Sequence, residues 1–343
     1  MKRERKIILV TGGAGFIGSN LCHYLTKQNF KVLCLDNFDD FYSEEIKLNN
    51  IKSLLNDNSF ELIKGDIRDS ELLNSIFKNN KIETVIHLAA KAGVRNSIIN
   101  PKEYFDINVN GSIALLEAMR NYSVKNLVFA SSSSVYGNKS GKLQETDVCD
   151  EQISPYAVSK KTVELLNYSY HVNFKMNVIN LRLFSVYGKN QRPDLVIHKF
   201  FNHISQNKLI EIYGNGEAKR DFTYIDNVVE AFYNSVLYFE KQKQNVYEII
   251  NIGNDKPISL LLLLDYIKEI IQTEKIQFVT KDIVKGDVDT THADIEKAKK
   301  LISYNPSISL DKGLKLFYEW FKKQKKYDNR NFKRLHRYPD DSK

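Results

Sequence analysis

A short apolar run, Ile7-Ile8-Leu9-Val10, leads straight into Thr11-Gly12-Gly13-Ala14-Gly15-Phe16-Ile17-Gly18, and no other stretch constrains the fold of this chain as strongly. The run is too short for the hydrophobic region of a signal peptide, despite the basic residues before it, and reads as a first strand. Glycines let the backbone turn tightly and approach a pyrophosphate, while the helix that follows offers its N-terminal N–H groups and positive dipole end. Both Gly12-x-x-Gly15-x-x-Gly18 and Gly13-x-Gly15-x-x-Gly18 can be read here. A glycine loop can also serve a simple turn. What favours the dinucleotide reading is Asp36, at the end of a second strand candidate, where a carboxylate can accept the adenosine ribose hydroxyls. It would repel the 2′-phosphate of NADP, so the expected cofactor is NAD. Asp66, in Gly65-Asp66-Ile67-Arg68-Asp69, follows a third strand candidate and is placed to meet the adenine amino group.

Strand candidates at residues 6–10, 31–36, 61–64, 84–88, 126–130 and 177–183 alternate with helical patterns, notably at 15–28, 101–122 and 155–171. Such alternation predicts an α/β fold in which a parallel sheet is covered on both faces. Beyond Leu183 the rhythm loosens. A loop at 190–195, helices near 196–206 and 226–239 and a strand near 248–252 precede a last lobe that runs to about residue 322.

The formal charge of +8 raises the question of a nucleic-acid partner, and its location answers it. Lys322, Lys323, Lys325, Lys326, Arg330, Lys333, Arg334 and Arg337 are opposed in that stretch by Asp328 alone. The excess therefore reads as a solvated basic tail, with weak contact to an acidic surface as the alternative, and no nucleic acid is expected. No apolar run approaches the roughly 18–20 residues that span a bilayer. Cys22, Cys34 and Cys149 lie scattered, without the spacing of a disulfide framework or a zinc site, which suits a reducing cytoplasm. No cluster of His, Cys and Asp has metal-ligand spacing, so no metal is expected.

Tyr156 and Lys160 stand four apart at the start of a helix, in Pro155-Tyr156-Ala157-Val158-Ser159-Lys160, and so share one face. A free tyrosine, with a pKa of about 10, is a poor base at neutral pH; a nearby ammonium stabilises the phenolate. Upstream, Ser131-Ser132-Ser133-Ser134 offers a hydroxyl donor for the same substrate oxygen. Tyr-x-x-x-Lys is common by chance and gains its meaning from the dinucleotide fold before it. His87, at the end of an apolar strand, reads as a hydrogen-bonded core residue rather than a proton shuttle.

These blocks together resemble the extended short-chain dehydrogenases/reductases, the NAD-dependent epimerase/dehydratase family, from residue 6 to about residue 322. The matching blocks are 11–18, 36–38, 65–69, 87–95 (HLAAKAGVR), 131–137 (SSSSVYG), 156–160, 182–188 (RLFSVYG), 220–226 (RDFTYID) and Asn251-Ile252-Gly253. The resemblance implies a Rossmann-like doubly wound parallel sheet that holds NAD, formed by residues 1–183 with about 221–254. It also implies a smaller C-terminal α/β lobe for the nucleotide sugar, from 184–220 and 255–322, followed by the basic tail at 323–343. On the cofactor side it implies Gly12, Gly15, Phe16, Ile17, Gly18, Asp36, Asn37, Asp66, Ile67, Leu88, Ala89, Ala90, Asn108 and Ser131, with Tyr156 and Lys160 at the nicotinamide end. The catalytic hydroxyl falls on Ser132, with Ser133 one register step away. On the substrate side the resemblance implies Arg95, Ser132, Ser133, Ser185, Arg192, Arg220 and Asp287, although Val284 stands where relatives often carry an arginine. It further implies a homodimer paired through the helices at 101–122 and 155–171.

Members of this family begin by removing the proton of a sugar hydroxyl to Tyr–O⁻ while hydride passes to NAD⁺. Dehydratases of the family carry Asp-Glu directly after the catalytic threonine, and decarboxylases carry a Glu in that stretch; here those positions are Ser133 and Ser134. The resemblance thus implies 4-epimerisation of a UDP-sugar through a transient 4-keto sugar. Gln191-Arg192-Pro193-Asp194 and Arg95 resemble segments of UDP-glucuronate 4-epimerases, in which an arginine faces the sugar carboxylate. UDP-GlcNAc/GalNAc or UDP-glucose epimerisation, an unusual dehydratase or decarboxylase, and a non-catalytic NAD-binding scaffold stay open as alternatives.

Overall fold

The computed structural model describes residues 5–242, 245–273, 276–282, 286 and 288–328. Strands β1 (Ile7–Thr11), β2 (Lys31–Asp36), β3 (Phe60–Lys64), β4 (Ile82–His87), β5 (Asn126–Ser132) and β6 (Asn177–Leu183) follow the expected strand positions, with ends shifted by a residue or two. The chain then forms β7 (Ser185–Tyr187), β8 (Ile210–Tyr213) and β9 (Lys219–Tyr224), returns as β10 (Tyr247–Ile252), and adds β11 (Pro257–Ser259) and β12 (Phe278–Lys281). Among the described residues one seven-stranded sheet has the order β10-β6-β5-β4-β1-β2-β3, with every pairing parallel. That is the Rossmann-like doubly wound arrangement. Two smaller sheets, β11-β9-β7 and β12-β8, lie beyond it.

The helices are α1 (Phe16–Lys27), α2 (Glu44–Ile51), α3 (Ser70–Asn79), α4 (Val94–Ile99), α5 (Pro101–Phe105), α6 (Gly111–Asn121), α7 (Pro155–Phe174), α8 (Val196–Ser205), α9 (Ile225–Gln242), α10 (Leu260–Ile271), α11 (Glu296–Ile302) and α12 (Leu310–Asp328). The strands read as continuous apolar runs because both faces are covered. Ile8 and Val10 pack with Leu21 and Leu25 of α1 and Val228 and Phe232 of α9. Leu9, pointing the other way, packs with Leu73 and Ile76 of α3 and Leu115 and Met119 of α6. The first of these cores continues without a break into the smaller sheets, through Phe200 and Phe201 of α8, Leu263 of α10 and Phe317 and Phe321 of α12. Apolar residues Leu314, Phe317 and Phe321 keep α12 helical as far as Asp328, past the expected start of the tail at 323.

Local signals set the helix that carries Tyr156. Ser154 accepts the Ala157 N–H as N-cap, Pro155 occupies the first turn, and Lys175 in the left-handed region (φ 57°) ends the helix. The pattern at 101–122 forms a helix interrupted by a π-turn, Asp106–Asn110, between α5 and α6. The interruption has a tertiary cause. Asn108 Nδ2 donates to the Lys91 carbonyl (3.0 Å) and to Ser159 Oγ (2.9 Å), and its Oδ1 accepts from Lys91 N (2.7 Å). The turn thus ties the segment after β4 to α7.

Candidate active site

In a sheet of this order a crevice opens at the carboxyl ends of β1 and β4, where the chain direction of the crossovers reverses. Thr11 and His87 end those strands side by side. Gly12 follows with φ +70°, and a Cβ on it would lie 2.8 Å from Ala89 N, so only glycine lets the turn close against the segment after β4. At Gly18 an added Cβ would lie 2.1 Å from the Gly12 carbonyl oxygen, which presses the turn against the first coil of α1. Phe16 and Ile17 begin that helix, whose N-cap, Gly15, supplies no side-chain cap. Asp36 is buried and accepts from Ala14 N (3.0 Å) and Phe38 N (2.9 Å). Burial raises its pKa, partly offset by those N–H groups and by Lys47.

Farther along the crevice, Asn37 Nδ2 donates to Asp66 Oδ2 (2.9 Å), and Arg68 donates to both Asp66 oxygens (2.9 and 2.8 Å). The hydrogen bonds from Arg68 lead the effects that hold Asp66 down at about 2. The Ile67 side chain is buried against α6, where a Cβ on Gly111 would lie 2.6 Å from its Cδ1, so only the Ile67 backbone is left to face a ligand. On the β4 side, Leu88 N donates to the Thr11 carbonyl (3.1 Å) and Ala89 N to Thr11 Oγ1 (3.2 Å), with Ala90 next in line. His87 bridges Thr11 Oγ1 (2.7 Å) and Ser112 Oγ (2.9 Å), and burial, with a smaller push from Lys160, lowers its pKa to about 3. It is a neutral core linker.

At the other end of the crevice β5 delivers its serines. Ser132 is the hydroxyl that meets the Tyr156 phenol, and it also accepts from Ser134 N (3.2 Å). Ser131 faces elsewhere: its hydroxyl donates to Glu164 Oε1 (2.6 Å), leaving only its backbone toward the crevice. Burial raises the Tyr156 pKa, while the bond to Ser132 and the charge of Arg192 pull it back. Lys160, expected beside the phenol, instead sends Nζ to the Ala130 carbonyl (2.8 Å), 4.8 Å above the Phe129 ring. Burial lowers its pKa to about 7, opposed by Glu164 one turn along α7. Of the two cations it is the charge of Arg192 that pulls on the phenol, as the smallest effect after burial and the Ser132 bond.

Arg192 lies in the loop between β7 and α8, with its side chain 15% exposed. It forks onto Asp194 (2.9 and 2.6 Å) and lies 4.8 Å over the Phe41 ring. Its loop is stitched to α1, because Asn20 Nδ2 donates to the Lys189 carbonyl (3.0 Å) and Asn190 Nδ2 to Ser19 Oγ (3.2 Å). Arg95, on α4, stacks 4.1 Å over Tyr213 at the end of β8. Ser185 begins β7, opposite Phe222 of β9. Arg220, on β9, donates to the Lys219 carbonyl (2.9 Å) and the Asp289 carbonyl (3.3 Å). Ser133 opens the turn after β5. Asp287 lies outside the described residues.

Three residues that the sequence reading passed over shape this end. Tyr104 sits edge-on to Tyr156 (centroids 6.2 Å apart) and donates to the Ala92 carbonyl (3.1 Å). Glu164 and Arg182, each 1% exposed, form a forked ion pair (2.9 and 2.8 Å) behind Lys160. Breaking one side of such a pair typically costs about 3–5 kcal/mol. A lone arginine in the apolar strand Asn177–Leu183 was the available signal, since it demands a buried anion.

The glycine cradle, the Asp36 carboxylate and the open N-terminus of α1 fit a dinucleotide without a 2′-phosphate. A family model described as GDP-mannose 4,6 dehydratase matches residues 9–317. A UDP-glucuronate 4-epimerase of Thermodesulfobacterium geofontis is 41% identical over 315 residues, covering 92% of this chain and 95% of the relative. The crystal structure of a UDP-glucuronic acid 4-epimerase from Bacillus cereus, in complex with UDP-glucuronic acid and NAD, superposes with a TM-score of 0.87 at 35% identity, covering 93% of this chain and 99% of that one. A UDP-N-acetylglucosamine 4-epimerase from Methanobrevibacter ruminantium, in complex with UDP-N-acetylmuramic acid, gives 0.84 at 30% identity over 94% of this chain and 99% of its own. With the family model matched over residues 9–317 and these relatives covering 92–94% of its length, the chain belongs to the NAD-dependent epimerase/dehydratase family of nucleotide-sugar enzymes.

Proposed function

We propose that this protein is an NAD-dependent 4-epimerase of UDP-sugars whose substrate is UDP-glucuronate, interconverted with UDP-galacturonate. The observation that carries the choice of sugar is the largely buried Arg192 guanidinium, held by Asp194 and over the Phe41 ring, whose charge also pulls on the Tyr156 phenol. A planar cation at that place suits a sugar carboxylate. The named substrates of the relatives from Thermodesulfobacterium geofontis and Bacillus cereus support the same reading.

NAD, when bound, supplies reversible oxidation of the sugar at carbon 4. Tyr156 takes the hydroxyl proton there and returns it, Ser132 holds the same oxygen by hydrogen bond, and Lys160 positions the cofactor ribose. Ser133 and Ser134 place no carboxylic acid beside the sugar. The nearby Asp194 has both oxygens engaged by the Arg192 guanidinium. The oxidised sugar is therefore returned rather than stripped of water or CO₂. Incubation with UDP-glucuronate should yield a product of unchanged mass and altered chromatographic mobility. Loss of water or CO₂ would put the protein with the dehydratases or decarboxylases, and no turnover on any UDP-sugar would leave an NAD-binding scaffold.

In this reading residues 1–183 with about 221–254 hold the cofactor, through the groups from Gly12 to Ser131 named above, and 184–220 with 255–322 hold the nucleotide sugar, with Arg95, Ser185 and Arg220 beside it. The protein works in the cytoplasm, in keeping with three free, buried thiols and with the absence of any described helix long and apolar enough to cross a membrane. It works as a homodimer. Leu165, Tyr168 and Val172 form an apolar stripe along the outer face of α7, 59%, 53% and 46% exposed, and Phe105, one turn into the neighbouring α5–α6 rod, and Tyr122, just past its end, are also exposed. Light scattering should give twice the chain mass; a monomer at micromolar concentration would dismiss the pairing.

A further inference from the structure

Around the glycine turn and the Arg192 loop most polar side-chain atoms have a partner; the Tyr42 hydroxyl, like Asn20 Oδ1 and Gln191 Oε1, has none among the described residues. Tyr42 lies between β2 and α2 and is only 8% exposed. Buried polar groups are nearly always satisfied, so an orphan of this kind calls for a ligand or water.

The ring is firmly held. The Lys47 ammonium lies 4.8 Å over it and donates to the Asp39 carbonyl (2.5 Å). Asp39 in turn accepts from Phe41 N (3.0 Å) and from Lys91 Nζ (3.2 Å), and Phe41 lies beneath the Arg192 guanidinium. This segment is therefore pinned from three sides, by α2, by the stretch after β4 and by the loop after β7. The hydroxyl it presents lies 3.8 Å from where a Gly15 Cβ would be, over the uncapped N-terminus of α1. Burial, with Asp36 and Asp39 adding to it, pushes the phenol well above its ordinary pKa, so it is a proton donor at neutral pH. The carboxylate oxygens nearby already have partners: those of Asp36 accept from Ala14 and Phe38, and those of Asp194 from Arg192.

We propose that Tyr42 donates its phenolic hydrogen to a phosphate oxygen of the bound dinucleotide, and that Phe41 and Tyr42 together roof the pyrophosphate between α1 and Arg192. The assignment rests on the dinucleotide reading of the glycine turn. An anion over a helix N-terminus draws on the free N–H groups beneath it, and a neutral phenol from above completes the cage without adding charge. The roof also links the two halves of the site, since the cation over Phe41 is the one proposed to meet the sugar.

The test is Tyr42→Phe in the full-length protein, which keeps the ring and its cation contact and removes only the hydroxyl. NAD retained through gel filtration and the apparent Kd for NAD, read by titration, are compared with the parent. The variant should bind NAD roughly 10- to 100-fold more weakly, the worth of one hydrogen bond to a charged group. Its activity should fall at limiting NAD and recover as NAD is added. Thermal melting without NAD shows whether the variant is folded, and Tyr42→Trp serves as a second variant if it is not. An unchanged Kd in a folded variant would overturn the assignment alone. Failure of the parent to bind NAD would overturn the reading of the glycine turn beneath it.

Discussion

Tyr156→Phe should lower turnover of UDP-glucuronate by roughly 10²–10⁴-fold, the usual range for removing a positioned acid–base group, while the purified protein keeps its NAD. The substitution removes one oxygen from a ring that is otherwise fixed edge-on to Tyr104 at the N-terminus of α7. The cofactor groups on β1, β2 and β4 do not depend on that oxygen. The pH profile of the parent gives a second check. Burial holds the phenol protonated, and Ser132 and Arg192 pull the other way. Activity should therefore climb with pH as the phenolate fraction grows, and that limb should be missing from the residual activity of the variant. Turnover at the parental rate would remove Tyr156 from the chemistry.

Arg192→Ala should reduce kcat/KM for UDP-glucuronate by roughly 10- to 100-fold, the worth of a charge-assisted hydrogen bond, and change that for UDP-glucose far less. Two consequences of the geometry need to be separated. Loss of the guanidinium takes away a contact to the sugar carboxylate, and it also removes a positive charge that favours the Tyr156 phenolate. The second effect raises the phenol pKa, which moves the rising limb of the pH profile to higher pH for every sugar alike. Only the first distinguishes a carboxylate from a hydroxymethyl group. Arg192→Lys keeps the charge but loses the planar fork, so it should restore the pH profile while leaving most of the UDP-glucuronate defect. Equal losses on both sugars would end the case for a carboxylate grip.

Much of this was readable in the chain because it depends on short-range chemistry. The glycine turn, Asp36 at a strand end and the Tyr156–Lys160 spacing each express a local rule, and they fall after β1, at the end of β2 and in the first turns of α7. What escaped reading depends on distant partners. Glu164 repeats the four-residue step from Lys160, but a glutamate on a helix ordinarily faces water; its burial follows from Arg182 reaching over from β6. Asn108 sits in a sequence that continues a helical pattern, and the π-turn comes from its bonds to Lys91 and Ser159. Lys160 shares a helix face with Tyr156 as the spacing requires. Its long side chain nevertheless runs down to β5, where the Ala130 carbonyl offers a bond that the phenol does not. Tyr42 carries no motif at all and is conspicuous only once its surroundings are known.

The place of β10 bears on how such a chain comes off the ribosome. Having left the large sheet after Leu183, the polypeptide builds β7, β8 and β9 before Tyr247–Ile252 pairs with β6 and replaces it as the edge strand, and the Tyr247 hydroxyl then bonds the Glu164 carbonyl (3.2 Å). Until that segment has been synthesised, β6 is a bare edge with unpaired N–H and C=O groups, a template for pairing with other nascent chains. A fragment cut after residue 183 would keep that edge permanently and should aggregate rather than yield a free-standing cofactor module. The two halves of the crevice are thus born together, and an engineer who wants either must take both.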